Sequence, residues 1–178
     1  MDTRLLASII DLLPDATFAI DKDGKVIAWN RAIEIMTGVK REEMLNKGDY
    51  IYAIPFYGVR RPILIDLVFK IDMEAEASYD YVKKNKTAIF AEAFVPILNE
   101  GKGAYLWGTA APIIDEYGNY EGAIESIRDI TMIKEAKDAL KVLIVNRFDP
   151  FSANKFDPPS WGCNYKVMNN PLPYFQIF

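Results

Sequence analysis

The sequence contains no histidine, and one cysteine, Cys163, among its 178 residues. Without imidazole there is no histidine ligand for haem iron, no histidine phosphoacceptor, no Ser-His-Asp triad and no histidine-based zinc site. A lone cysteine excludes an internal disulfide framework and suits a reducing compartment. Basic charge is also scarce. The 21 Lys and Arg stand against 25 Asp and Glu, a net charge of −4. No basic stripe is available to neutralise phosphates, so nucleic acid is not expected as a partner. Long apolar runs are missing too. The opening "MDTRLLASIIDLLPDA" has an acid at position 2 and is broken by Asp11 and Pro14. No stretch approaches the roughly 18 apolar residues of a bilayer span, and no secretory leader is recognisable. No membrane contact by this segment, and a cytoplasmic location, are therefore expected.

What is present is enough for one domain with a real core and an extension. Half of the residues (51%) are hydrophobic and about a quarter (26%) charged, the balance of a globular domain rather than a disordered chain. Residues 1–14 carry Leu5, Leu6, Ile9, Ile10, Leu12 and Leu13 near helical spacing, and Pro14 ends the run. "ATFAI" (16–20) alternates, Asp23-Gly24 is a hairpin signal, and "VIAWN" (26–30) is the returning strand. Asn30 can cap a helix over "RAIEIMT" that Gly38 terminates. A short solvated helix is predicted over 40–48, one after Pro62 through "ILIDLVF", and another over 73–85. Three strands follow, at 87–98, 104–114 and 120–130. Two strands, several helices and three antiparallel strands make an α+β domain with one mostly antiparallel sheet. Helices confined to one face leave a concave, partly apolar side that suits a small ligand.

"LLPDATFAIDKDGKVIAWNRAIEIMTGVKREEMLNKG" resembles the first half of a PAS (Per-Arnt-Sim) sensory domain, and "GTAAPIIDEYGNYEGAIESIRDIT" resembles its second half. The second stretch ends in the family's Asp-Ile-Thr signature at Asp129, Ile130 and Thr131. The match spans roughly residues 5–135. It implies a five-stranded antiparallel sheet in the order 2-1-5-4-3, with helices on one face around a ligand pocket. It also implies a homodimer, and an exit helix leading to an output domain such as a histidine kinase, a diguanylate cyclase or another PAS domain. Flavin-binding light sensors of the family carry a reactive cysteine inside the domain, and haem-binding members usually ligate iron with histidine. Neither residue is available here, so covalent flavin and histidine-ligated haem are not expected. The cofactor stays open, a small metabolite or non-covalent flavin being compatible with the residues.

Candidate ligand residues fall in two groups. Arg60 and Arg61 adjoin Phe56 and Tyr57 on a loop, and two guanidinium groups between aromatics suit a carboxylate or phosphate. Solvation, or pairing with Asp66 or Glu92, is the plainer reading of both arginines. Trp29, Phe90 and Trp107, with Phe94 and Tyr105, lie on strands flanking the concavity, where they shape a pocket or simply pack the core. Alternation puts Tyr105, Trp107 and Thr109 on one face without saying which face is inward. Tyr50, Tyr52 and Tyr57 are further hydroxyl donors. The acid pairs Asp21/Asp23, Glu42/Glu43 and Asp115/Glu116 belong to turns or a surface helix, with no partner base or nucleophile, so catalysis is not expected.

The resulting organisation is a flanking helix (1–14), a PAS domain (15–131), an exit helix (132–145) and a tail (146–178). Ile130, Ile133, Lys137, Leu140 and Ile144 form a stripe of about two heptads on the exit helix, too short for a stable coiled coil alone. The tail is rich in proline and aromatic residues without periodicity. It reads either as a native segment docked on a neighbour or as sequence foreign to the natural chain. The expected function is a sensory module that binds a small molecule and relays it through Asp129, Ile130 and Thr131. The alternatives are a ligand-free PAS module for dimerisation or partner docking and, as an outsider, an enzyme.

Overall fold

In Ala16–Asp21 (β1), Ala16, Phe18 and Ile20 point one way and are fully buried, while the residues between them take the other face. The turn that follows is held by Asp21, whose Oδ1 accepts the backbone N–H groups of Asp23 (3.0 Å) and Lys25 (2.8 Å). Gly24, at φ 76°, supplies the left-handed residue the turn requires. The chain returns as Val26–Trp29 (β2). A computed structural model describes residues 8–148 of the chain. Residues up to Asp138 form one compact unit, and the second begins at Ala139.

Asn30 does more than cap the next helix, Arg31–Thr37 (α1). Its Oδ1 accepts the N–H groups of Ile33 (3.0 Å) and Thr17 (2.9 Å). Its amide nitrogen donates to the carbonyls of Ile10 (3.2 Å), Leu13 (3.4 Å) and Asp15 (3.0 Å). One buried side chain thus ties the helix, β1 and the preceding segment together. Gly38 at φ 75° closes α1.

Short elements follow: Arg41–Met44 (α2), a 3-10 turn at Ile51–Ala53, Ile54–Tyr57 (α3), a 3-10 segment at Leu64–Val68 and Met73–Ala77 (α4). Two expectations change here. The helix expected after Pro62 is a 3-10 segment, held by Asp66, whose Oδ2 accepts the N–H of Ile63 at 2.8 Å. The helix expected over 73–85 stops at Ala77, and Tyr81–Lys84 (β3) turns back as a strand on Ile89–Val95 (β4). The charged run that looked helical is an edge strand, where lysines are well placed.

Ala104–Ile114 (β5) and Tyr120–Asp129 (β6) complete a six-stranded antiparallel sheet in the order β2-β1-β6-β5-β4-β3. The expected order 2-1-5-4-3 is preserved, with one strand added before the old third. Pro112 sits where β5 has outrun β4, whose last paired residue along that direction is Ile89 opposite Ala110.

The register assigns the faces. Phe18, Glu125 and Ala110 lie abreast, as do Ala16, Ile127, Gly108 and Ala91, and these rows face the helices. Ile33, Tyr52, Phe56 and Ile65 close over them in the main core. Each large, fully buried side chain there contributes about 1.5–3 kcal/mol. The other face carries Phe90, Phe94, Tyr105 and Trp107. Trp107 lies 6.1 Å from Tyr81 in a stacked pair and 6.3 Å from Phe90.

Thr131–Phe148 (α5) begins directly after β6. Ile133 and Leu140, part of the expected apolar stripe, are largely exposed. The tail beyond 148 and the first seven residues lie outside the described residues.

Candidate functional site

Burial of polar groups is costly unless they are partnered, so the interior acids and phenols locate the site. Glu125 projects from the middle of β6 into the apolar layer and is 5% exposed. Its Oε2 accepts the N–H of Ile65 at 3.0 Å, and its Oε1 lies beside Gly108. Burial, and then the neighbouring Asp66 carboxylate, push its pKa from 4.5 up to about 8. Glu125 is therefore mostly protonated at neutral pH.

The cavity beside it has a volume of about 30 Å³, room for one or two waters, between Phe56, Tyr57, Leu64, Tyr79, Gly108 and Glu125. Gly108 makes the space. A Cβ there would stand 2.7 Å from Leu64 Cδ2 and 3.2 Å from Glu125 Oε1. The Tyr79 hydroxyl is hydrogen-bonded to that of Tyr57, and burial raises both phenols above the ordinary tyrosine range. Behind them, the Tyr52 hydroxyl donates to Asp66 Oδ1 at 2.6 Å. Burial raises the Asp66 carboxyl, against the lowering effect of that hydrogen bond. Larger hollows, such as the 340 Å³ recess by Asp23, Asp49 and Lys70, lie open at the surface.

The residues singled out from sequence separate. Phe56 and Tyr57 line the cavity. Trp29 is core: its indole nitrogen donates to the Val39 carbonyl at 3.1 Å and its ring packs on Phe18. Phe90 and Trp107 are on the opposite face of the sheet and take no part in the cavity, because their positions in the two-residue alternation point outward. Arg60 is paired with Asp49 at 2.7 Å on the surface. Arg61 donates to the Pro62 carbonyl (3.3 Å) and to Ser78 Oγ (2.7 Å), with its guanidinium 4.8 Å from the Tyr57 ring centre. Neither arginine reaches the interior, and neither takes the partner expected of it: Asp66 is bound by Tyr52, and Glu92 pairs with Lys134.

Glu125, Tyr79, Asp66 and Gly108 were not singled out from sequence. Asp66 stands alone in the apolar run "ILIDLVF", and Glu125 shares a strand face with Ala123 and Ile127. An acid alone on an apolar face was the available signal in both cases.

At the exit, Ile130 N–H donates to the Tyr105 carbonyl at 2.8 Å, and Tyr105 N–H donates to Thr131 Oγ1 at 2.9 Å. Asp129 Oδ1 accepts the N–H of Thr131 at 2.8 Å and starts α5. Lys134 pairs with Glu92 and lies over the Tyr105 ring. Asp129, Ile130 and Thr131 thus stitch the helix start to the beginning of β5. On the neighbouring strand, Arg128 grips Asp15 with two hydrogen bonds, 3.0 and 2.6 Å.

The described residues form an α+β domain, an antiparallel sheet with helices on one face around a small interior cavity. Residues 4–55 match the family model described as the PAS fold. The PAS domain of Bordetella pertussis BvgS is 18% identical, with a TM-score of 0.50 over 79% of this chain and 95% of that one. An RNA-binding Light-Oxygen-Voltage receptor is 18% identical, with a TM-score of 0.51 over 81% of this chain but 38% of its own. A Vibrio cholerae VqmA–ligand–DNA complex is 19% identical, with a TM-score of 0.48 over 74% of this chain and 53% of that one. No curated protein matches the sequence significantly. The described residues have the PAS fold. The expectation that nucleic acid is no partner, drawn from net charge, is not borne out by these comparisons, the Light-Oxygen-Voltage receptor being described as RNA-binding. No helix among the described residues is long and apolar enough to cross a membrane.

Proposed function

We propose that this chain is the sensory module of a cytoplasmic signal-transduction protein, acting as a homodimer without catalysis of its own. A small molecule binds between sheet and helices beside Glu125, Tyr57 and Tyr79. Its binding alters β6, and the change leaves through Asp129, Ile130 and Thr131 into α5 and on to an output module. The observation that carries this reading is Glu125, a buried carboxyl at the wall of an interior cavity. A domain needing only a packed core gains nothing from such a group. A ligand acts as a signal only through different affinities for two states of the module.

The cavity volume of about 30 Å³ favours a second reading, a PAS module that holds no ligand and serves dimerisation or docking. Denaturing the purified chain and identifying released small molecules by mass spectrometry separates the two, with thermal shifts across a metabolite panel as the second arm. A released molecule, or a saturable shift abolished by Glu125→Leu, is expected. No released molecule and no shift would leave the ligand-free reading.

A further inference from the structure

We propose that Glu125 and Asp66 form a proton-operated latch, in which loss of the Glu125 proton lifts the 3-10 segment Leu64–Val68 from β6. A side chain ties this segment to the sheet, since Ile65 N–H donates to Glu125 Oε2 at 3.0 Å. The next residue, Asp66, is 7% exposed. Its Oδ2 accepts the Ile63 N–H at 2.8 Å, and its Oδ1 accepts the Tyr52 hydroxyl at 2.6 Å. Two carboxyls from different elements thus hold successive residues of one short segment. The titratable groups facing Glu125 are Asp66 from that segment, Tyr52 from the 3-10 turn, Tyr57 from α3 and Tyr79 from the stretch before β3. From the sheet come Gly108 and Ala110 of β5 and Phe18 of β1, none of them titratable. Lys70 acts on Asp66 and Arg61 on Tyr57. The charge that acts on Glu125 among the described residues is Asp66, of like sign.

Protonated, Glu125 adds no charge to this layer and the segment closes over it. Ionised, it sets a second negative charge beside Asp66 in an apolar surround, which is costly. The cavity of about 30 Å³ admits one or two waters, not the hydration shell of a carboxylate. Relief comes when the segment lifts and solvent enters. Lifting also uncovers Ile63 and Ile65 of the main core, and Leu64 and Leu67 of the smaller cluster around Ala91 and Ala110. The open form is therefore a minor state. Its population rises with pH. The carboxyl ionises near 4.5 when solvated and near 8 when enclosed, so closure is fully favoured below 4.5 and weakens about tenfold per pH unit up to 8. Glu125 lies on the strand that ends at Asp129, so the latch acts on the strand that leads into α5. The device needs no ligand in the cavity and stands apart from the small-molecule reading.

Amide hydrogen exchange of the full chain, followed by NMR at pH 6, 7, 8 and 9, reads the latch at the Ile65 amide. The amide of fully buried Phe18 serves as the reference for global unfolding. With the intrinsic exchange rate divided out, Ile65 should be less protected than Phe18. Its protection should fall about ninefold from pH 6 to pH 7 and level off near pH 8. Glu125→Gln should take most of this fall away. Asp66→Asn should bring the levelling to a lower pH, because the like charge is gone. Ile65 protection equal to that of Phe18 at every pH would show opening only with global unfolding, and would overturn the latch. A fall undiminished in Glu125→Gln, or a levelling that Asp66→Asn leaves in place, would overturn it as well.

Discussion

Replacing Glu125 by glutamine should make the domain more stable at neutral pH, and the gain should depend on pH in a defined way. The carboxyl ionises near 4.5 in the unfolded chain and near 8 in the folded one. Between these values the folded state holds a proton that the unfolded state has released, so stability falls as pH rises. Each pH unit costs about 1.4 kcal/mol, so the penalty is about 3 kcal/mol at pH 7 and approaches about 5 kcal/mol above pH 8. Glutamine cannot ionise, and its carbonyl can still accept the Ile65 N–H. Urea unfolding of Glu125→Gln and the parent chain at pH 5, 6, 7 and 8 measures the difference directly. The advantage of the variant should be smallest at pH 5 and grow by about 1.4 kcal/mol per unit toward pH 8. A difference constant across the series would refute the claim that burial holds this carboxyl protonated.

Other outcomes follow from the same geometry. Gly108→Ala places a methyl 2.7 Å from Leu64 Cδ2, which should lower stability by about 1–3 kcal/mol in thermal unfolding and remove cavity binding. Asn30→Ala strips a cap and leaves buried backbone groups unpaired, for a loss of about 3 kcal/mol in urea unfolding. Thr131→Val removes the acceptor of the Tyr105 N–H at a cost of about 1 kcal/mol. Hydrogen exchange should quicken at the Tyr105 amide and stay unchanged at Phe18.

Most of the sheet was legible because β1, β4 and β5 alternate in the sequence and the turns at Asp23-Gly24 and at Asp115 and Glu116 punctuate them. The stretch over 73–85 was not legible. Its Met, Glu, Ala and Lys content matches helix propensity, whereas the register with β4 is a tertiary fact that no local pattern carries. The site was read less well for a related reason. Phe90 and Trp107 attracted attention by size, but alternation gives two faces without saying which is covered. Arg60 and Arg61 attracted it by charge, and the loop turns both to the surface. Glu125 sat in plain view on a mixed strand. Its neighbours across the sheet, Phe18 and Ala110, are what make it buried, and they are far away in the chain.

The grip of Arg128 on Asp15 has a mechanical consequence. The first residue of β1 pairs with Ile127 near the end of β6, so the chain arrives at and departs from the sheet at one end of the same two central strands. Tension between whatever precedes residue 8 and whatever follows α5 therefore peels this pair apart like a zipper, one rung after another, instead of shearing all rungs together. The Asp15–Arg128 clasp is the first rung to carry the load, and Glu125, opposite Phe18, is only two residues beyond the Ile127 pair. A pull on the ends and an occupant of the cavity thus act on the same few residues of β6.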